Sequence, residues 1–315
     1  MPIQLRNLIL QTPTYLTMLV GVLLISYQYG VGPLPLLVQF VVCLLLLLAA
    51  GIPHGALDHL IEQRRSAQAN RPFSMGWFIL KYLLLIAAYG VGWLVSPVGS
   101  LVVFLVISAW HFGETDLENA PATVLWSLAR FVCGGWVLAF ILLTHWQEVN
   151  PIIARIVQGD PYTIQVWTYL TRHTAAVMTG ITALLMTLIG LSYWQRPIAI
   201  NGGRLLRLGV ILLLTYPLPL LPAFILYFAG WHALSSFGSI RAYLSLPGSS
   251  LHSAWHLWWQ AMPLTVAAFL FLGTCTIAWK IYVPTLDPIP TLFIVLSTIT
   301  LPHIQVMHQL NNKYK

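Results

Sequence analysis

Two imidazoles and a carboxylate close a long apolar run in the stretch Gly51-Ile52-Pro53-His54-Gly55-Ala56-Leu57-Asp58-His59. Hydrocarbon offers a polar side chain no water, so an ionisable residue at membrane depth is a candidate for function. Pro53 removes a backbone donor and clashes with the carbonyl four residues back, which predicts a kink that lets His54 point into a bundle. His54 and Asp58 are four residues apart and share a helical face. Asp58 is therefore expected to accept the second ring N–H of His54 and fix its tautomer. The competing reading is a helix end that simply meets the headgroups.

Three later apolar runs carry a histidine in the same manner: Trp110-His111-Phe112, Trp231-His232 and Leu301-Pro302-His303. If the spans alternate regularly, His54, His111, His232 and His303 reach a similar depth near one face. Neutral imidazoles suit zinc, copper or iron, while the lack of thiolates and the few carboxylates argue against magnesium, calcium or an iron–sulfur cluster. A lone membrane histidine is ordinarily a hydrogen-bonded helix contact, but four at matched depth favour a metal. The other histidines carry less weight. His59 points elsewhere on its helix, His145 and His173 belong to an outer connection, and His252 and His256 form an HxxxH pair where a span begins, a spacing that suits a ligand pair but more often marks a wet interface.

The elements that must position these residues are membrane spans. Hydrophobic residues make up 58% of the 315 positions and charged ones only 7%, about a quarter to a third of the charged share of a soluble domain. Apolar runs near the length needed to cross a bilayer recur at about 8–28, 35–61, 75–95, 98–113, 122–144, 173–194, 205–216, 220–243, 258–282 and 289–308. The N-terminal run lacks a small-residue cleavage site and is expected to be retained. The loop with Arg64, Arg65 and Arg71 and the loop with Arg196, Arg204 and Arg207 are expected inside. The fold expected is thus all-α, a multi-pass bundle of about ten spans (eight to ten), with both termini cytoplasmic, in the cell membrane. The net charge of +7 is spread over short loops, so it reads as topology and not as a nucleic-acid surface. The crowded Pro217, Pro219 and Pro222 must turn a hairpin if His232 is to reach the depth of the other histidines. Cys43, Cys133 and Cys275 lie singly in apolar runs and read as packing. HExxH, repeated HxxHH, GxSxG, P-loop and GxGxxG motifs are absent from the sequence.

The strings PHGALDH around His54 and SAWHFGETD around His111 resemble those of the Brp/Blh family, bacterial and archaeal integral-membrane β-carotene 15,15′-dioxygenases that supply retinal. YFAGWHALSSFGS around His232 and LPHIQVMH around His303 stand at the later motif positions in the right order, so the likeness covers nearly the whole chain as one domain, 1–315. The resemblance implies an Fe(II) enzyme that splits the central double bond of β-carotene with O2 into two retinals, with membrane lipid around it and an opsin as a candidate recipient. It carries over His54, His111 and His232 as catalytic iron ligands. Family members have a further histidine four residues after the WH pair, where this chain has Ser236. His303 is the expected replacement, with His308 or water as alternatives, and the departure bears on substrate choice and on activity itself. A carotenoid substrate would give Trp110, Phe112, Phe228, Trp231 and Phe237 a role in lining a polyene slot, against ordinary span packing. Glu114 and Asp116 would be acceptors behind His111, or a solvated helix end. The rival readings are a non-catalytic carotenoid or retinal binder serving an opsin, and a membrane oxygenase of another isoprenoid lipid.

Overall fold

Pro53 has no N–H to return to the carbonyl of Ala49, and the helix does not run through it unchanged. In the computed structural model, which describes residues 13–118, 120–198, 200–244, 254–282 and 288–313, α1 (Thr14–Gly30) is followed by α2 (Leu36–Leu46). Leu47–Gly51 then widens into a π-turn before the short α3 (Ile52–Ala56) and α4 (Asp58–Gln68). The Ala49 carbonyl accepts instead from the indole N–H of Trp258 at 2.9 Å. A break in the α-helical ladder is thus answered by a donor from another helix, as a non-aqueous surrounding requires.

α5 (Met75–Val95) and α6 (Pro97–Asp116) meet at Ser96, whose hydroxyl accepts from the Gly99 N–H, with Pro97 at the first helical position. α7 (Val124–Thr144) then packs on α6 backbone to backbone. A Cβ added to Gly113 would lie 1.8 Å from the Arg130 carbonyl oxygen, and one on Gly134 1.9 Å from that of Ala109. Only glycine permits that approach, the small-residue mode of helix association in membranes. It anchors the helix that carries His111.

The connection after α7 is itself helical: α8 (Trp146–Ile156) and α9 (Pro161–Arg172). Asp160 caps α9 by accepting from the Thr163 N–H at 2.7 Å, and with the Thr163 hydroxyl this holds its carboxyl below the usual range. His145, placed by the sequence in the outer connection, stands at the end of α7. It is buried, its ring nitrogens 2.8 Å from the Ile141 carbonyl and 2.9 Å from the Leu218 carbonyl, and so ties the end of α7 to the proline hairpin. His173 does lie at an exposed helix end, its Nδ1 2.8 Å from the Tyr169 carbonyl.

α10 (Thr174–Gln195) leads to α11 (Gly202–Thr215) and, across the proline turn, to α12 (Leu220–Tyr227), so the hairpin forms as expected. A second π-turn, Phe228–Ala233, contains His232 and passes into α13 (Leu234–Leu244); α14 (Ala254–Tyr282) and α15 (Pro288–Lys313) close the order. Among the described residues seven helical runs are long and apolar enough to cross a membrane: Leu36–Gln68, Met75–Val95, Pro97–Asp116, Val124–Thr144, Thr174–Gln195, Leu220–Leu244 and Ala254–Ala278. The other three expected spans fall on the shorter α1 and α11 and on the apolar stretch Phe293–His308 of α15. The molecule is a helical membrane bundle. In Leu220–Leu244 72% of the apolar window is buried, against 6% in Thr174–Gln195, so the His232 run passes through the middle of the bundle.

Candidate metal centre

Four helical runs bring His54, His111, His232 and His303 together, with 4%, 1%, 0% and 5% of their surface exposed. The rings form a closed quadrilateral. Centroids are 4.7 Å apart for His54 and His303, 5.3 Å for His303 and His111, 4.6 Å for His111 and His232, and 5.8 Å for His232 and His54. The two π-turns make this meeting geometric, because they cross at Gly51, where an added Cβ would lie 3.5 Å from the Phe228 ring.

His303 is the corner with a fixed orientation. Its Nδ1–H donates to both oxygens of Asp58 at 2.9 and 3.0 Å, and the Tyr82 hydroxyl donates to the same carboxylate at 3.1 Å. Its Nε2 is left buried and unpaired on the other side. Asp58 was expected behind His54 and is not there. Leu57 sits between α3 and α4 with ψ near zero, so the helix is interrupted between the two residues and the four-residue spacing no longer means a shared face. Ser236 places its hydroxyl 3.5 Å from that of Thr115, one turn beyond His111, and His303 stands at the remaining corner. His308 is not part of the ring: its Nδ1 pairs with Glu114 at 2.9 Å, and the Trp110 indole nitrogen lies 3.3 Å from the same atom.

Neutral imidazoles are the donors a first-row metal takes, and several nitrogens here lack any other use. His111 and His232 each bury an unpaired Nδ1, beside the unpaired Nε2 of His303, while the His54 ring meets the Ala50 and Gly51 carbonyls. A buried atom of this kind costs about 1–3 kcal/mol when left unsatisfied; at His303 a metal bound to Nε2 would offset that cost. His111 and His232 face each other Nε2 to Nε2 at 3.1 Å. An imidazole nitrogen bonds zinc at about 2.0–2.1 Å, and two such nitrogens at right angles around an ion of that size lie about 3 Å apart. As they stand the four rings surround a point without sharing it: among the described residues no three His, Cys, Asp or Glu side chains are gathered tightly enough to hold an ion. The 3.1 Å between the His111 and His232 Nε2 atoms is a hydrogen-bond distance. In type, the donor set of four neutral imidazoles fits a borderline divalent first-row metal.

Residues 45–311 match the family model described as beta-carotene 15,15′-dioxygenase. The chain belongs to that family. It is 28% identical over 83% of its length to a beta-carotene 15,15′-dioxygenase of uncultured marine bacterium 66A03, covering 90% of that protein. Two proteins of Halobacterium salinarum are also similar: the probable beta-carotene 15,15′-dioxygenase Brp, 29% identical over 65% of this chain and 60% of Brp, and the probable dioxygenase Blh, 25% identical over 82% of this chain and 80% of Blh. No solved structure matches.

Within this dioxygenase-family chain the acidic residues serve differently from the expectation. Asp116 does not stand behind His111. It accepts from the Trp231 indole at 2.7 Å and the Tyr227 hydroxyl at 3.1 Å, and so ties the end of α6 to the turn that carries His232. Arg204 joins this knot, its guanidinium 5.0 Å over the Trp231 ring and donating to the Thr115 carbonyl at 2.8 Å. Glu114 is engaged by His308 and is likewise buried. Of the five aromatics expected to line a slot, Phe112 and Phe228 border the imidazoles, at 4.7 Å from His232 and 6.0 Å from His54. Trp231 points toward Asp116, Trp110 toward His308, and Phe237 packs with Ile240 and Leu257. Sequence reasoning missed Tyr82, Arg204 and Trp258. Tyr82 stands mid-run in α5, where a tyrosine among leucines was the available signal. His59 does point away, with Nδ1 2.9 Å from the Ala56 carbonyl, and His256 contacts Gln260, while His252 lies outside the described residues. Cys133 is buried in packing with Ala129 and Leu185, as read from the sequence.

Proposed function

We propose that this chain cleaves the 15,15′ double bond of β-carotene with O2 to give two molecules of all-trans-retinal, at an Fe(II) held by His54, His111, His232 and His303. The observation that carries this reading is the closed ring of four buried imidazoles, with a carboxylate behind His303, in a chain of the dioxygenase family. Iron would supply the activation of O2 that lets one oxygen atom join each carbon of the broken bond, so no outside reductant is needed. The protein's own work is to hold, orient and exclude. Asp58 fixes the tautomer of His303 so that Nε2 faces the centre. Burial of all four rings keeps water from the reacting carbons. A hydrocarbon substrate enters from lipid, and one aromatic column offers it a flat wall. Phe224, Phe228 and His232 stack in sequence, with centroids 5.4 and 6.1 Å apart and planes within 7° and 18°.

The same reading places about ten spans in the cell membrane, both termini cytoplasmic, with retinal released into lipid for an opsin-like acceptor. Expression in cells that make β-carotene tests it. Bleaching with retinal appearing is expected, and unchanged carotenoid beside an inserted, iron-loaded protein would contradict it. Intact pigment with no iron bound would favour a carotenoid carrier, and a different lipid product another oxygenase.

A further inference from the structure

The two π-turns that present His54 and His232 each lean on a side chain from a distant helix. The Ala49 carbonyl, deprived of its partner by Pro53, accepts from the Trp258 indole at 2.9 Å. The Gly230 carbonyl, two residues before His232, accepts from the buried Thr17 hydroxyl at 2.8 Å. The second contact is closely fitted. A Cβ on Gly230 would lie 2.3 Å from Cγ2 of Thr17, so α1 touches the turn itself. Thr17 lies outside residues 45–311, the part that matches the family model. A π-turn carries an extra residue per turn and disturbs the regular pairing of carbonyls, so its shape depends on whatever donor meets the carbonyl left over.

We infer that Thr17 and Trp258 are positioning residues: they latch the two π-turns in the register that aims His232 and His54 at the common centre. This rests on the metal reading above, and it makes α1 part of the site's scaffold. Thr17 acts on His232 through the Gly230 carbonyl, and Trp258 on His54 through the Ala49 carbonyl. Neither touches the reacting atoms.

The test uses the full chain in detergent or nanodiscs, with cobalt(II) as the probe metal, in Thr17→Val, Thr17→Ser and Trp258→Phe. Thr17→Val and Trp258→Phe are expected to weaken cobalt binding roughly three- to tenfold, the worth of one interhelical hydrogen bond, and to shift the visible cobalt bands. Thr17→Ser, which keeps the hydroxyl, should restore both affinity and bands. In metal-free protein, amide hydrogen exchange should quicken at 228–235 in Thr17→Val and at 47–54 in Trp258→Phe, with α10 unchanged. Wild-type exchange in those segments, or exchange rising evenly through the bundle, would overturn the inference. A wild-type protein that bound no cobalt would overturn the metal reading alone, because the metal-free exchange comparison still decides the latches.

Discussion

His232 lies within a π-turn and His54 three residues beyond one, whereas His111 and His303 stand within long α-helices, and the two pairs are held in different ways. The α-helical pair needs little from afar. His111 rides on a helix pressed against its neighbour at Gly113 and Gly134, and His303 is gripped by Asp58. The π-turn pair stands on backbone whose carbonyls look to Trp258 and Thr17, and the Asp116, Tyr227 and Trp231 knot braces the second turn. One half of the ring is thus fixed by side chains and packing, the other by backbone shape. The π-turn half is the part expected to rotate when a metal enters.

Breaking the ring itself should have the largest effect. His54→Ala, His232→Ala and His111→Ala each remove a corner, and metal affinity should fall by more than about 100-fold, beyond the range seen for partners behind a ligand. Metal content of the purified variants checks it. Asp58→Asn acts on the α-helical half by exchanging the acceptor of the His303 ring N–H for a weaker one, and affinity should fall about 10–100-fold. Equal affinity in Asp58→Asn and wild type would mean that His303 is oriented by something else. Gly113→Ala removes no ligand but attacks the packing that seats the His111 helix. Its methyl meets backbone at 1.8 Å, and overpacking of about 1–3 kcal/mol should appear as a lower thermal midpoint for the metal-free protein. Ser236→His should change least. With His303 present it adds little, whereas in His303→Ala it should restore metal binding.

The comparison also explains what the sequence disclosed. The four histidines were legible because imidazoles are conspicuous where 58% of residues are hydrophobic, and Pro53 announced the first irregular turn. The second turn, Phe228–Ala233, contains no proline and gave no such warning. Its shape comes from tertiary contact with α1. Asp58 was assigned to the wrong histidine because a four-residue spacing implies a shared face only in continuous helix, and Leu57 breaks it. For Asp116 and Glu114 the sequence leaves open a role behind His111 or a solvated helix end, whereas each is buried and serves a group from another helix, Trp231 and His308. Span count was the least legible feature, since α1 and α11 are 17 and 14 residues long, close to the shortest lengths that cross a bilayer, about 17 residues.

The central claim is that four histidines, with His303 in the place left open by Ser236, hold one iron. X-ray absorption at the iron edge of the Fe(II)-loaded protein, compared with His303→Ala, tests it most directly. The account predicts four imidazole nitrogens around iron in the wild type and a shell poorer by one in the variant that retains metal at high iron concentration. An identical shell in both proteins, or iron bound without imidazole scattering, would contradict it.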